Sequence, residues 1–346
     1  LLVLISIEQG FNNKFSFENI LHLFTSQNVD LFEIMSLNFF KKLSSRHVDV
    51  FSLLAALFLG LHNLCKKHAV RGNEVFPVLL GTLIAGFLLI LPFYIGSIYA
   101  PEATKEIGFY VESIPWTTHG YIIIKSMIMA ASWILAYQAL KHLPLTIVTP
   151  IRSAGPFFTF IGAIFIYKEA PPNNYQWIGF FLIILSVLLY SRIGKKEGIH
   201  FKSNKWVFAI IGATFLGASS GLYDKFLIQS LMLNPQTLQF WFCFYTIIIL
   251  LIILSITWFP YPQKRKDFKF RWSIPAVGIL LQTADYFYFK ALQDPDAMIM
   301  LLSAIKRSQI IIAVVIGGLI FKEQNKRQKL IPLAGIMIGV FLILYS

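Results

Sequence analysis

Charge is the first thing this sequence is short of. Asp, Glu, Lys and Arg make up 14% of its 346 residues, against about 25% in an ordinary soluble domain. With 56% of the residues hydrophobic, too little polar surface is left to cover a water-soluble globule, and that class is excluded. Cysteine is nearly absent as well. Cys65 and Cys243 supply neither a disulfide framework nor a spaced metal-ligand cluster, and both read as small apolar fillers. Acidic residues are outnumbered, 17 against 30 basic ones, for a formal net charge of +13. In a soluble chain that excess would point to nucleic acid. Here most Lys and Arg fall in short stretches between apolar runs, where they set orientation and meet anionic lipid. Membrane lipid is therefore an expected partner and nucleic acid is not. The sequence also lacks the HExxH and GxxxxGK strings of zinc hydrolases and nucleotide users. No catalytic residue, metal or cofactor is assigned, and an enzyme is not expected.

Long apolar runs are what the chain has instead. A bilayer-spanning helix takes about 20 mostly apolar residues. Ten stretches qualify, at roughly 49–66, 75–98, 118–140, 144–167, 175–192, 206–228, 235–259, 272–292, 296–321 and 329–345. The expected fold is an all-α integral membrane protein of ten transmembrane helices, multi-pass in the cell (cytoplasmic) membrane. Residues 1–46 form an N-terminal extension. The first methionine is Met35, and residues 1–34 have neither the basic start nor the cleavage site of a signal peptide. Their apolar opening is too short to span, and they are read as an upstream extension outside the native protein.

These runs are duplicated. The stretch YQALKHLPLTIVTPIRSAGPFFTFIGAIFIYKE, Tyr137 to Glu169, returns as FKALQDPDAMIMLLSAIKRSQIIIAVVIGGLIFKE, Phe289 to Glu323. Each copy then passes through a polar step into one more apolar stretch. The chain thus divides into a first five-helix unit, 47–193, and a second, 204–346, joined by the basic link from Arg192 to Lys205. Five is odd, so the second unit is inverted relative to the first, the arrangement of transporters that bind between their halves. Loops after the odd-numbered spans carry most of the loop Lys and Arg, which places them in the cytoplasm and both termini outside.

Several joint features carry a resemblance to a known family: ten spans, two five-helix units, a small, proline-rich fourth span, and a Lys-Glu pair closing the fourth span (Lys168, Glu169) and the ninth (Lys322, Glu323). Over residues 47–346 the chain resembles the EamA-type units of the drug/metabolite transporter superfamily. The resemblance implies a central cavity lined chiefly by early helices of each half, the fifth and tenth more peripheral, and alternating access. Members of that superfamily are drawn with both termini in the cytoplasm, opposite to the charge count, so orientation stays open.

Candidate site residues are charges at membrane depth, which cost about 2.5–3.5 kcal/mol each on the lenient insertion scale and so face a cavity or a partner. The fourth span carries Arg152 between Pro150 and Pro156; the ninth carries Lys306 and Arg307. Aligned on the Lys-Glu pairs, Arg152 falls on Lys306, so both repeats place a cation at one depth. Each proline frees a carbonyl four residues earlier, which suits a cavity wall but also a simple kink among small residues. The eighth span has Gln282, Asp285 and Phe289 on one face; Asp285 is the candidate for ion coupling, or else pairs with Lys306 or Arg307. The third span contributes Trp133, Tyr137 and Gln138, with Lys125 further up, and Tyr223 joins from the sixth.

Other polar residues have blander readings. Asp224 and Lys225 lie near a helix end, within reach of the interface, as do His62, Asn63, Lys66 and Lys67 at the end of the first span. A lone membrane His is more often a packing residue than a relay. Trp241, Phe242 and Tyr245 of the seventh span read as packing or lipid-facing. Gly335 and Gly339 form a GxxxG spacing that permits close helix contact, within the chain or in a homodimer.

The function expected is a secondary transporter for efflux or exchange of a small polar metabolite, by alternating access around a cavity between the repeats. The core set Lys125, Arg152, Asp285, Lys306 and Arg307 has more cations than anions and favours an anionic substrate. The alternative is a non-transporting polytopic scaffold or sensor, with helices four and nine packed dry.

Overall fold

Backbone in lipid must satisfy its own hydrogen bonds, and within one apolar stretch only a helix does so. The computed structural model of the chain describes residues 47–152, 155–168, 173–196, 204–265, 268–295, 297–309, 312, 316 and 326–345, and every regular element among them is helical. The N-terminal extension, with the reading of 1–34, and Glu169, Lys322 and Glu323 lie outside the described residues. In the first repeat α1 is His47–Val70, α2 Val75–Tyr99, α3 the short Pro101–Glu106, α4 Trp116–His142, α5 Leu145–Arg152, α6 Gly155–Tyr167 and α7 Asn174–Lys196. In the second, α8 (Lys205–Lys225) runs on into a π-helical turn, Phe226–Ser230; α9 is Pro235–Thr257, α10 Pro262–Arg265 and α11 Ser273–Leu292. The helix α12 (Ile299–Ile305) tightens into a 3-10 turn, Lys306–Ser308, and α13 is Lys326–Tyr345. Five described helices are long and apolar enough to cross a membrane: Val50–Val70, Val75–Tyr99, Trp116–His142, Lys205–Ser230 and Pro235–Thr257.

Local chemistry sets several boundaries. Asn234 accepts from the backbone N–H groups of Gln236 and Thr237 at 2.9 and 3.3 Å, with Pro235 at the first helical position of α9. Such a cap is worth about 1 kcal/mol, and proline there sacrifices only an N–H that has no partner in any helix. The stretch expected as one helix over 144–167 is described as α5 and α6, with residues 153–154 between them outside the described residues.

The packing is symmetric under exchange of the halves. α1 lies along α11 and α8 along α4, while α6 meets α12, α7 meets α13 and α2 meets α9. Glycines make the tightest of these approaches. A Cβ on Gly278 of α11 would sit 1.9 Å from the Thr82 carbonyl oxygen and 2.7 Å from the Gly86 nitrogen, so α2 and α11 touch backbone to backbone. Gly278→Ala is therefore expected to lower the thermal midpoint of the purified protein, by the equivalent of about 1–3 kcal/mol of overpacking. Gly120→Ala, where a Cβ meets nothing within 4 Å, is the control and should leave the midpoint in place. Gly335 and Gly339 are used inside the chain: their Cβ positions would fall 2.2 Å from Ser186 Oγ and 2.7 Å from the Gly179 carbonyl oxygen of α7.

Polar side chains tie the helices together, between the repeats and within them, at both ends. At one end, rich in basic residues, Asn73 exchanges two hydrogen bonds with the Lys269 backbone, 2.8 and 2.7 Å. Arg271 donates to the carbonyls of His68 and Arg71, and Lys67 to those of Leu140 and Leu143, both at 2.9 Å. At the opposite end, the connection after α2 is pinned to the start of α9: Gln236 donates to the Gly108 carbonyl, 2.9 Å, and the Glu112 N–H to Thr237, 2.8 Å. Gln229, in the π turn, donates to the carbonyls of Leu292, Asp294 and Ala297. Lys67 in the first repeat and Gln229 in the second thus do the same task at opposite ends of the molecule.

Candidate functional site

Six helical elements surround a cavity of about 120 Å³. From α1 come Leu59, His62, Asn63 and Lys66; from α4, Met129, Trp133, Ala136 and Leu140; from α5, Leu145, Val148 and Arg152. The second repeat supplies Thr214 and Gly217 of α8, Leu281 and Asp285 of α11, and Lys306 and Gln309 at and after the 3-10 turn. Spacings of three and four residues put each set on one helix face. Among the described residues, neither α7 nor α13 contributes to the lining.

Its position follows from where these residues sit along their helices. Lys66 is four residues from the end of α1, Leu140 two from the end of α4, and Leu145 opens α5, so one part of the cavity reaches the basic end. Asp285 lies seven residues before the end of α11, and Arg152 and Lys306 seven residues after Leu145 and Ile299, each about 10 Å from that end by the 1.5 Å rise. The expected correspondence of the repeats appears in geometry. α5 starts at Leu145 and is described as far as Arg152; α12 starts at Ile299, which aligns with Leu145, and gives way to the 3-10 turn at Lys306. In the second repeat the regular helix gives way at this aligned cation. A helix that breaks at membrane depth frees backbone groups beside a site, and a mid-helix 3-10 turn marks a hinge.

Electrostatically the cavity carries Lys66, Arg152 and Lys306 against one carboxylate, Asp285, among its described lining residues. Arg152 acts on both Lys66 and His62, and Asp285 lies in the field of Lys306 and Lys125. Aromatic rings take part of the load: Lys66 stands 5.1 Å from the Tyr137 ring centroid and Lys306 3.5 Å from that of Tyr288. Such contacts reach about 2 kcal/mol when desolvated. His62 donates through Nδ1 to the Val277 carbonyl, 3.1 Å, and Asn63 donates to Gln309, 2.8 Å, so the wall itself is cross-linked between repeats.

A profile of the EamA-like transporter family matches this chain twice, over residues 47–192 and 204–345. The chain belongs to the EamA-like transporter family. It is a multi-pass membrane protein, and members of this family are transporters. Comparison with curated proteins returns no match. Among solved structures, one titled only as a crystal structure of a protein is 13% identical, with a TM-score of 0.62 over 85% of this chain and 94% of its own. That likeness is one of fold.

Of the residues singled out in the sequence of this EamA-like chain, the cavity gathers Trp133, Arg152, Asp285 and Lys306. Four others lie outside its lining, and helical phase explains why. The α4 stripe runs 129, 133, 136, 140; Tyr137 and Gln138 are turned about 100° and 200° away from Ala136, and Tyr137, 2% exposed, serves as the ring under Lys66. On α11 the stripe is Leu281 and Asp285, so Gln282 faces α9, where Gln239 donates to its side chain at 2.9 Å and it donates to Cys243 Sγ at 3.1 Å. Tyr223 is off the Thr214–Gly217 face and its ring meets Phe226 at 5.7 Å. The side chain of Arg307 is outside the described residues.

Two sets of residues are placed differently from the sequence reading. His62, Asn63 and Lys66 belong to the wall because α1 runs on to Val70, one turn past the expected end at 66. Asp224 is not at an interface. The π turn carries the helix on to Ser230, leaving Asp224 six residues inside and 4% exposed, in an ion pair with Lys125, which is 2% exposed. The α8 sequence also contains a G-x-S-x-G string, Gly217 to Gly221. It lies within continuous helix, and Ser219 donates to the Phe215 carbonyl at 3.1 Å. A nucleophile elbow needs a strand-to-helix turn that exposes the serine, and this segment has none.

Proposed function

We propose that this chain is a secondary transporter of the cytoplasmic membrane, with ten spans in two inverted five-helix repeats, that carries a small anionic or carboxylate-bearing metabolite by efflux or exchange. The substrate binds in the cavity between the repeats, and alternating access moves it across. The observation that carries this reading is the cavity, in which Lys66, Arg152 and Lys306 face Asp285 alone among the described carboxylates of the lining. A concave site with excess positive charge and low-dielectric walls concentrates anions. A scaffold had been expected to pack the fourth and ninth spans dry around internally capped cations; the cavity beside Arg152 and Lys306 favours transport instead.

A thermal-shift screen on the detergent-purified protein tests the substrate class. Small mono- and dicarboxylates are expected to raise the midpoint, since a ligand at 100 times its dissociation constant adds about 2.7 kcal/mol. Stabilisation by amines of the same size, with none by acids, would reject an anionic substrate.

Asp285 is the proposed proton-coupling group, because it is the cavity's carboxylate and sits in the field of Lys306. Uptake into proteoliposomes is expected to follow an imposed pH gradient in the wild type and to lose that dependence in Asp285→Asn. A gradient dependence that survives the substitution removes Asp285 from this role.

A further inference from the structure

A buried ion pair lies next to the cavity, toward the side away from the basic end. Lys125, from α4 of the first repeat, forms an ion pair with Asp224, from α8 of the second. Lys125 lies nine residues inside the start of α4 and Asp224 six from the end of the π turn, so both belong to the half of the helices opposite the cavity mouth. Ser220 accepts from Lys125 at 3.5 Å. The rings of Phe242 and Phe289 flank the ammonium, 4.2 and 5.5 Å from it to their centroids. Both rings are buried, 3% and 2% exposed.

This layer touches residues that line the cavity. Trp133 lines the cavity and packs on Phe242 at 5.6 Å. Lys306 lines the cavity and stands over the Tyr288 ring, and Tyr288 is hydrogen-bonded to Asp224, which also feels the charge of Lys306. The contacts run from Lys306 to Tyr288, from Tyr288 to Asp224 and from Asp224 to Lys125. A buried ion pair between two apolar rings is an expensive way to hold helices together. It becomes reasonable where the two partners must separate during a working cycle and be wetted when they do.

We propose that the Lys125–Asp224 pair, with Phe242 and Tyr288, is the gate that closes the cavity toward the end opposite the basic loops, and that an anion on Lys306 weakens it. Asp224 occupies the place a substrate carboxylate would take between the lysines. When substrate arrives at Lys306, it competes with Asp224 for that cation, the inter-repeat pair loosens, and the far side opens. In the ligand-free form the pair stays closed. This gate rests on the transporter reading above, and it assigns Lys125, Asp224 and Phe242 a role that residues of the cavity wall do not have.

Accessibility tests it without any substrate. A reporter Thr214→Cys, at mid-depth on the cavity wall, is placed in a Cys65→Ser, Cys243→Ser background. A membrane-impermeant maleimide is then applied to vesicles of either orientation. With the native pair, labelling is expected from the basic side and protection from the opposite side. In Asp224→Asn, and in Lys125→Met/Asp224→Leu, which leaves no lone charge, labelling from the opposite side is expected to rise about tenfold or more, as for a decade shift in the closed-to-open equilibrium. Labelling from the basic side reports that the protein is folded. The double variant carries the decision where the single one misfolds. A folded double variant that remains protected from the opposite side overturns the gate, as does a wild type labelled equally from both sides. If the anion screen fails while this labelling result holds, the substrate class falls and the gate stands; the reverse outcome removes the gate alone.

Discussion

Lys306→Met is expected to cut initial transport rates by about 100-fold or more, the largest functional loss of any single substitution at the cavity. One charge-assisted hydrogen bond to a substrate carboxylate is worth about 1.5–3 kcal/mol, and unit charges 4 Å apart at an effective dielectric of 20 interact by about 4 kcal/mol. A loss near 2.7 kcal/mol is already about 100-fold. Lys306 loses more than its contact with substrate, because its ammonium also stands on Tyr288 and acts on Asp224. Arg152→Gln, in the aligned position of the other repeat, is expected to lose affinity and to leave more of the maximal rate, since Arg152 lies against Gly217 of the cavity wall rather than beside the Lys125–Asp224 pair. Initial rates measured over a range of substrate concentrations separate the two effects. Equal losses of affinity alone in both variants would argue that Lys306 has no part in the conformational step.

The second large effect is on stability. Asp224→Ala leaves the Lys125 ammonium, 2% exposed, without its carboxylate in an apolar layer. Removing one partner of a buried pair costs about 3–5 kcal/mol, whereas replacing both by apolar residues of like volume is often neutral. Purified Asp224→Ala is thus expected to show a sharply lower thermal midpoint, and Lys125→Met/Asp224→Leu to recover most of it. An exposed pair such as Lys105–Glu102, on α3, should be removable with little change. A single variant as stable as the wild type would mean that the ammonium finds another anion or water, and the layer would not be dry.

Much of the fold was legible because it follows from apolar length alone. The duplicated stretch also made Arg152 and Lys306 legible as a pair, since a cation kept at one position in two copies needs no knowledge of packing. What escaped was depth and phase. A helix that runs one turn further than its apolar stretch, as α1 does to Val70, moves Lys66 from an apparent end into the wall. A π turn after Lys225 does the same for Asp224. Neither extension has a strong local signal, because polar residues continue a helix when tertiary partners such as the Leu140 and Leu143 carbonyls accept from them. Tyr137 and Gln282 stand one residue of phase, about 100° on a helix, from the lining residues Ala136 and Leu281. Phe242 was unreadable among 33 phenylalanines, since its meaning comes entirely from the lysine that lies over it.

Transport through this cavity is tested most directly by uptake of radiolabelled small carboxylates into proteoliposomes holding either the wild type or Arg152→Ala/Lys306→Ala. Saturable uptake of at least one anion by the wild type, abolished in the double variant while that variant still reconstitutes as folded protein, is the predicted result. Saturable anion uptake that persists undiminished without both cations, or uptake confined to cationic and neutral solutes, would contradict it.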